Sequence, residues 1–212
     1  MTLQEKIQLI QSLPLFTKLS LPEIRYLAKI AQEKNYRRGE IIIKQEEISA
    51  DAYIILSGHV KVYRLLEDGR IVNLSILGQG EILGELSLLD GKPRSANVEA
   101  MVPVKTLIIY KNNFDQFILK YPHIVKYFLA VLTKRLRLSQ ISLEDIAYGK
   151  LKKRVYNVLK KLAQYYSSQE IPLSHEELAE IVGATRARVT ETLDELSQEK
   201  KLILSRKKII VL

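Results

Sequence analysis

The chain of 212 residues carries a formal charge of +9 and a pI near 9.5, with 47% hydrophobic residues and no cysteine. That hydrophobic content supports packed cores rather than disorder, and the length suits one large domain or two small ones. The missing cysteine excludes disulfides, thiolate zinc sites, Cys-ligated iron–sulfur clusters and cysteine nucleophiles, while the basic balance points to a polyanionic partner, either nucleic acid or an acidic membrane surface.

The N-terminal run Met1-Thr2-Leu3-Gln4-Glu5-Lys6 places an acid where a secretory signal has none. No uncharged apolar stretch approaches the ~18–20 residues of a membrane span. A soluble, cytoplasmic protein with no membrane partner is expected. Seven of the nine glycines lie between Gly39 and Gly91, and glycine at that density marks turns. Between them run short β-rich stretches at Ile41–Ile43, Ala52–Leu56, Val60–Tyr63 and Ile71–Leu74, with Ser57-Gly58 and Asp68-Gly69 as hairpin pairs. A further pair covers Ala96–Ala100 and Val104–Ile109. Residues from about 20 to 110 therefore read as an antiparallel barrel or roll, preceded by one amphipathic helix.

From Phe114 the period becomes helical, and no glycine falls between Tyr121 and Tyr148. Pro122 sits where a first-turn proline is tolerated. Val125, Leu129, Leu132, Leu136, Leu143 and Ile146 follow alternating steps of four and three, with Ser139 filling the one gap. A stripe of this kind arises when a helix packs on its own domain. A heptad seam this long favours a partner helix, and a symmetric homodimer supplies one. Gly149 ends the helix and reads as a hinge, and Leu151–Ala163 begins a new, strongly basic helix.

In the last forty residues, Ser174-His175-Glu176-Glu177 has the form of a capping box. Leu178, Ala179, Ile181 and Val182 give the apolar face of a short helix, Gly183 the tight turn, and Thr185 the cap of a second helix that buries Val189, Leu193 and Leu196. This spacing is that of a helix-turn-helix. Leu202–Leu204 and Ile209–Leu212 flank Ser205-Arg206-Lys207-Lys208 as a small hairpin with a basic tip, a wing. The predicted class is α+β, with an effector-binding β-roll over 1–120, a dimerisation helix and hinge over 121–149, and a winged helix-turn-helix over 150–212.

The stretch with most chemistry is Gly84-Glu85-Leu86 followed by Pro93-Arg94-Ser95-Ala96. Gly84 lets backbone approach a ligand, and a helical turn at Leu86–Leu89 offers N–H groups to an anion. Arg94 suits a phosphate and Ser95 adds a donor, while Glu85 is an acceptor for a sugar hydroxyl. Together these describe a nucleotide. The alternative is that Glu85 and Arg94 pair across the roll and simply hold the loop.

These residues closely resemble the phosphate-binding cassette of cyclic-nucleotide-binding domains. The order of roll, long helix and winged helix-turn-helix resembles the cyclic-AMP receptor (Crp–Fnr) family of bacterial transcription regulators over nearly the whole chain. The resemblance implies that Glu85 contacts a ribose 2′-hydroxyl, that Arg94 and Ser95 contact a cyclic phosphate, and that Gly84 and Leu86 complete the cassette. It implies adenine contacts at Ser139 and Gln140, where the best-known cyclic-AMP sensor has Thr-Ser. Cyclic AMP or a related cyclic nucleotide is thus the expected effector, with a DNA operator, a second copy of the chain and RNA polymerase as partners. Relatives with similar loops answer to other effectors or to none, and a helical domain that binds protein is the remaining alternative.

In the second helix of the pair, Arg186 can give two hydrogen bonds to guanine O6 and N7. Arg188 adds charge on the same helix. Thr190 can meet a thymine methyl or a phosphate. Glu191 can accept from cytosine N4 or pair with Arg188. Ala187 and Glu191 replace the second and third members of the Arg-Glu-Arg set common in the family, so the usual operator is not implied. Thr185, Lys207 and Lys208 read as phosphate contacts, which position without specifying. His59, His123 and His175 have no metal-ligand spacing and read as surface or satisfied core residues. No Ser/His/Asp set, paired-carboxylate site or Walker loop stands in the sequence, so no catalytic residue or metal ligand is assigned and no enzyme is expected.

Overall fold

Two helices open the chain where the sequence pattern predicts one: α1 (Leu3–Ser12) and α2 (Leu21–Ile30). Residues 21–30 are thus helix and not part of the roll. The reason is local: Ser20 N–H donates to Glu23 Oε2 at 2.6 Å, Pro22 stands in the first turn, and Ile24, Leu27 and Ala28 recur at helical spacing and are buried. In this computed structural model the described residues are 1–13, 16–130, 132–133, 135–137, 150–166, 170–205 and 208–212. They divide into one unit drawn from Met1–Arg70 and Leu74–Lys134 and another from Ile71–Asn73 and Arg135–Leu212.

The roll comprises β1 (Gln32–Tyr36), β2 (Ile41–Ile43), β3 (Ala52–Ser57), β4 (His59–Leu65), β5 (Ile71–Gly78), β6 (Ile82–Leu83), the short helix α3 (Glu85–Asp90), β7 (Asn97–Ala100) and β8 (Val104–Ile109). They form two four-stranded sheets, ordered β1-β8-β3-β6 and β2-β7-β4-β5. Strand periodicity divides two cores. Ala52, Ile54 and Leu56 of β3, with Leu107 and Ile109 of β8, pack with the helices; Ile55 and Val104 join Ile43, Val60, Leu83, Val98 and Ala100 between the sheets. The strand β1 escapes the sequence pattern because Gln-Glu-Lys-Asn-Tyr buries only Tyr36; it is an edge strand held by backbone pairing from Gln32↔Ile108 to Tyr36↔Val104.

After β8, α4 (Lys111–Lys120) buries Phe114 and Phe117. Pro122–Ile124 then form a single 3₁₀ turn, so the helix expected from Phe114 onward is broken there. Residues 125–130, with 132–133 and 135–137, are helical and are called α5. Two faces of this region differ. Ile124 and Phe128 are buried in the helix-packed core, where Phe128 stacks edge-on to Phe114 at 4.8 Å. Val125, Leu129 and Leu136 are 38%, 55% and 63% exposed, and Leu132 is half-buried. Ile124 and Phe128 thus pack on the domain, while Val125 and Leu129 are left exposed outside that core. Leu143, Ile146 and Gly149 lie outside the described residues.

The second unit contains α6 (Leu151–Ala163), β9 (Glu170–Ile171), α7 (His175–Val182), α8 (Arg186–Gln198), β10 (Leu202–Ser205) and β11 (Lys208–Val211). The wing has a third strand that the sequence did not signal, its order being β10-β11-β9. Val155, Leu159, Leu162, Leu178, Val189, Leu193 and Ile209 form the dry centre of this unit.

His59 on β4 is 2% exposed, and burial pushes its imidazole pKa down to about 4. The unfolded chain takes up this proton near pH 6.5, whereas the folded chain resists until about pH 4. Stability contributed by the neutral ring is complete above pH 6.5 and falls as pH drops toward 4, by up to about 3 kcal/mol. Urea denaturation followed across that window should show the decline, and His59→Gln should flatten it.

Candidate effector cassette and nucleic-acid interface

The cassette begins where β6 ends. Gly84 has φ +75°, a left-handed conformation open to glycine, and a Cβ there would come within 2.4 Å of Arg94 Nη1 and 2.7 Å of the Asp51 carbonyl oxygen. Close approach of backbone to a guanidinium thus fixes this residue. The short α3 follows and closes at Gly91, φ +69°, whose N–H donates to the Ser87 carbonyl.

Arg94 is 2% exposed and its three side-chain nitrogens are all engaged. Nε donates to Ser49 Oγ at 2.8 Å, Nη1 to the Gly84 carbonyl at 3.0 Å and Nη2 to the Asp51 carbonyl at 2.8 Å. Its backbone is bridged as well: Arg94 N–H donates to Glu47 O at 3.0 Å and Glu46 N–H to Arg94 O at 2.9 Å. Burial draws the guanidinium pKa below its ordinary value, while Tyr53, Asp51, Glu47 and Glu85 act to hold it up. An arginine stays charged under such a balance.

Glu85 is 5% exposed, and its charge favours the Arg94 cation. The structure thus joins Gly84 to Arg94 directly and sets Glu85 in the same electrostatic neighbourhood. Ser95 and Leu86, in contrast, are exposed. Ser139 and Gln140 lie outside the described residues. Sequence reasoning missed the 44–51 segment altogether, because a polar loop of Lys44-Gln45-Glu46-Glu47 has no pattern that reports which side chain it will hold.

In the second unit, the expected capping box is present: Ser174 N–H donates to Glu177 Oε2 at 2.8 Å and Glu177 N–H to Ser174 Oγ at 3.2 Å. Gly183 turns the chain at φ +64°, and Thr185 Oγ1 caps α8 through the Arg188 N–H at 3.5 Å. The buried face of α8 is Val189, Thr192, Leu193 and Leu196. Thr185, Arg186, Arg188 and Glu191 are exposed, and Arg188 and Glu191 form no ion pair with each other among the described residues.

Two residues are more occupied than the sequence suggests. The Thr190 hydroxyl donates to the Arg186 carbonyl at 3.0 Å and lies 2.9 Å from His175 Nδ1. A hydroxyl has one proton, so with that proton on the carbonyl, His175 Nδ1–H is the donor to Thr190. Thr190 therefore ties α7 to α8. Lys208 Nζ pairs with Glu170 Oε2 of β9 at 2.5 Å while half exposed. Lys207 lies outside the described residues. Arg186 Nε is 3.9 Å from Glu176 Oε2, too long for a hydrogen bond. His123 Nε2 lies 2.5 Å from the buried Glu23. Among the described residues no cluster of His, Asp and Glu is placed to hold a metal, and no helix is long and apolar enough to cross a membrane.

A buried-arginine cassette in a double-sheet roll, followed by a winged helix-turn-helix, defines a DNA-binding regulator with an effector domain. Residues 33–121 match the cyclic nucleotide-binding domain, and residues 153–212 match the Crp-like helix-turn-helix domain. The chain is 31% identical over 195 residues to the CRP-like cAMP-activated global transcriptional regulator of Mycobacterium tuberculosis, covering 89% of this chain and 87% of that one. It is 30% identical over 186 residues to the cyclic AMP receptor protein of Thermus thermophilus, covering 88% and 86%. The crystal structure of the Thermus thermophilus catabolite activator protein superposes with a TM-score of 0.57 at 29% identity, covering 94% of this chain and 93% of that chain. The chain belongs to the Crp family of transcription regulators.

Proposed function

We propose that the chain acts as a homodimer whose roll, residues 1–120, takes cyclic AMP or a closely related cyclic nucleotide, and whose residues 150–212 read a near-palindromic operator. The 121–149 segment joins and pairs the two copies. The observation that carries the effector half is Arg94, a cation built into the cassette beside Gly84 and Glu85. A guanidinium has five N–H donors, and three are engaged by Ser49, Gly84 and Asp51, which leaves two for the oxygens of a phosphate. Glu85 then accepts from the ribose and Ser95 adds a donor, with Ser139 and Gln140 toward the base. The cAMP-activated relative supports this choice of effector. A second reading, in which the roll needs no effector or takes another small molecule, is favoured by the same arginine's depth: at 2% exposure it also serves to hold the loop. The protein works in the cytoplasm, contacts RNA polymerase and performs no catalysis.

Calorimetric titration with cyclic AMP, cyclic GMP and cyclic di-GMP separates these readings. Cyclic AMP should bind, and Arg94→Lys should lose about tenfold or more in affinity, the worth of a charge-assisted hydrogen bond. No heat with any of the three would remove the cyclic-nucleotide reading.

The exposed Val125 and Leu129 and the half-buried Leu132, continued in the sequence by the exposed Leu136, are suited to a second copy. Sedimentation should show the wild type as a dimer at micromolar concentration. Leu136→Asp, which sets two carboxylates into that seam, should sediment as a monomer, and a wild-type monomer would dismiss the seam.

On DNA, half-sites about one helical turn apart are expected. Arg186→Ala should cost about 1–3 kcal/mol and relax discrimination at one guanine per half-site. Lys208→Ala should weaken all sequences alike and flatten the salt dependence. Electrophoretic mobility shifts on a set of single-base operator variants measure both.

A further inference from the structure

We infer that Ser49 is a positioning residue for the cassette, one that sets the plane of the Arg94 guanidinium against a cyclic phosphate; the inference rests on the cyclic-nucleotide reading above. The three acceptors around Arg94 differ in kind. Gly84 and Asp51 offer main-chain carbonyls to Nη1 and Nη2, and Ser49 offers a side-chain hydroxyl to Nε. The two carbonyls fix where the far end of the guanidinium lies. Nε lies at the near end of the same conjugated plane, so the 2.8 Å bond from Nε to Ser49 Oγ adds the third point that holds the tilt of that plane. With all three in place, the direction of the two remaining N–H donors is set before any anion arrives, which is the condition for planar, bidentate recognition of phosphate.

Ser49 is itself held. Its segment is bonded to the Arg94 backbone through Glu46 N–H and Glu47 O. Further back, Gln45 clasps β4 by donating Nε2–H to the Leu65 carbonyl at 3.1 Å and accepting the Leu65 N–H at 2.9 Å, while its own N–H reaches Asn97 Oδ1 at 3.0 Å. A loop tied at both strands presents the hydroxyl to a fixed point. Removing it leaves the Nε donor buried without that partner and the guanidinium held at its far end alone, so that its plane can tilt.

The test measures affinity of the full-length protein for cyclic AMP and for its two phosphorothioate diastereomers, in wild type, Ser49→Ala, Ser49→Thr, Arg94→Lys and the Ser49→Ala/Arg94→Lys double variant. Ser49→Ala should weaken cyclic AMP about five- to tenfold, less than loss of a direct charged contact. It should also shrink the preference between the diastereomers, because a guanidinium whose plane can tilt tells one phosphate oxygen from the other less well. Ser49→Thr keeps the hydroxyl and should restore both. Lysine has no Nε–H of this kind, so in the Arg94→Lys background Ser49→Ala should add no further loss. Wild-type affinity and wild-type diastereomer preference in Ser49→Ala would overturn the inference. So would an equal loss in the Arg94→Lys background, or a lowered melting temperature of the nucleotide-free protein with both binding readouts unchanged. Absence of cyclic AMP binding by the wild type would instead overturn the cyclic-nucleotide reading, and the positioning role with it.

Discussion

Arg94 is the cation on which the roll closes. It draws three separate stretches of chain to one point: the loop carrying Ser49 and Asp51, the β6–α3 turn at Gly84, and its own loop before β7. Burying an arginine is costly unless its donors are met. Here the cost is offset by two carbonyls and a hydroxyl, together with the nearby carboxylates of Asp51, Glu47 and Glu85. The same need for close approach explains why Gly84 carries no side chain, since a Cβ would strike both the guanidinium and the carbonyl that binds it. Removing either member therefore leaves the other's partners mismatched in a buried site.

Much of this architecture is legible in the sequence wherever one face of an element is buried. The alternation in β3 and β8, the 3.6-residue period of α8 and the capping box at Ser174 each follow from local rules that tertiary contacts leave intact. The failures share a cause. The strands β1 and β9 are too polar or too short to show a period, and gain their structure from a neighbour's backbone. The cassette is legible as a motif, and Arg94 as its cation. What holds Arg94 is not, because two of its partners are main-chain carbonyls, which any residue supplies, and the third is a serine some forty-five positions away.

The helical segment after Pro122 illustrates how one stripe of residues yields two interfaces. Ile124 and Phe128 lie four apart and pack into the domain beside Phe114. Val125 and Leu129, one residue further on in each case, are exposed. A shift of one residue rotates a helix by about 100°, so neighbouring positions serve different surfaces. The sequence pattern shows both sets as apolar; only packing distinguishes the row that the domain consumes from the row it leaves outward.

The charges along α8 run against its own dipole. Arg186 and Arg188 occupy the first turn, where the helix end is positive, and Glu195 and Glu199 lie near the last, where it is negative. Each such placement disfavours an isolated helix by about 0.3–1 kcal/mol. The acidic end is relieved internally: Lys152 of α6 pairs with both Glu195 and Glu199, and hydrogen bonds from Lys152 and Lys201 hold the Glu199 carboxyl down at about 2. At the basic end, among the described residues, Arg186 has the distant Glu176 beside it. A helix that neutralises its C-terminal acids with protein cations while keeping exposed arginines at its N-terminus is poorly built for stability alone. It is well built to put its N-terminus against a polyanion, where DNA phosphates and base acceptors supply the negative charge that the first turn lacks. The net charge of +9 is thus less informative than its distribution along this one helix: the first turn leaves arginines exposed, and the acids near the last turn are met by lysines.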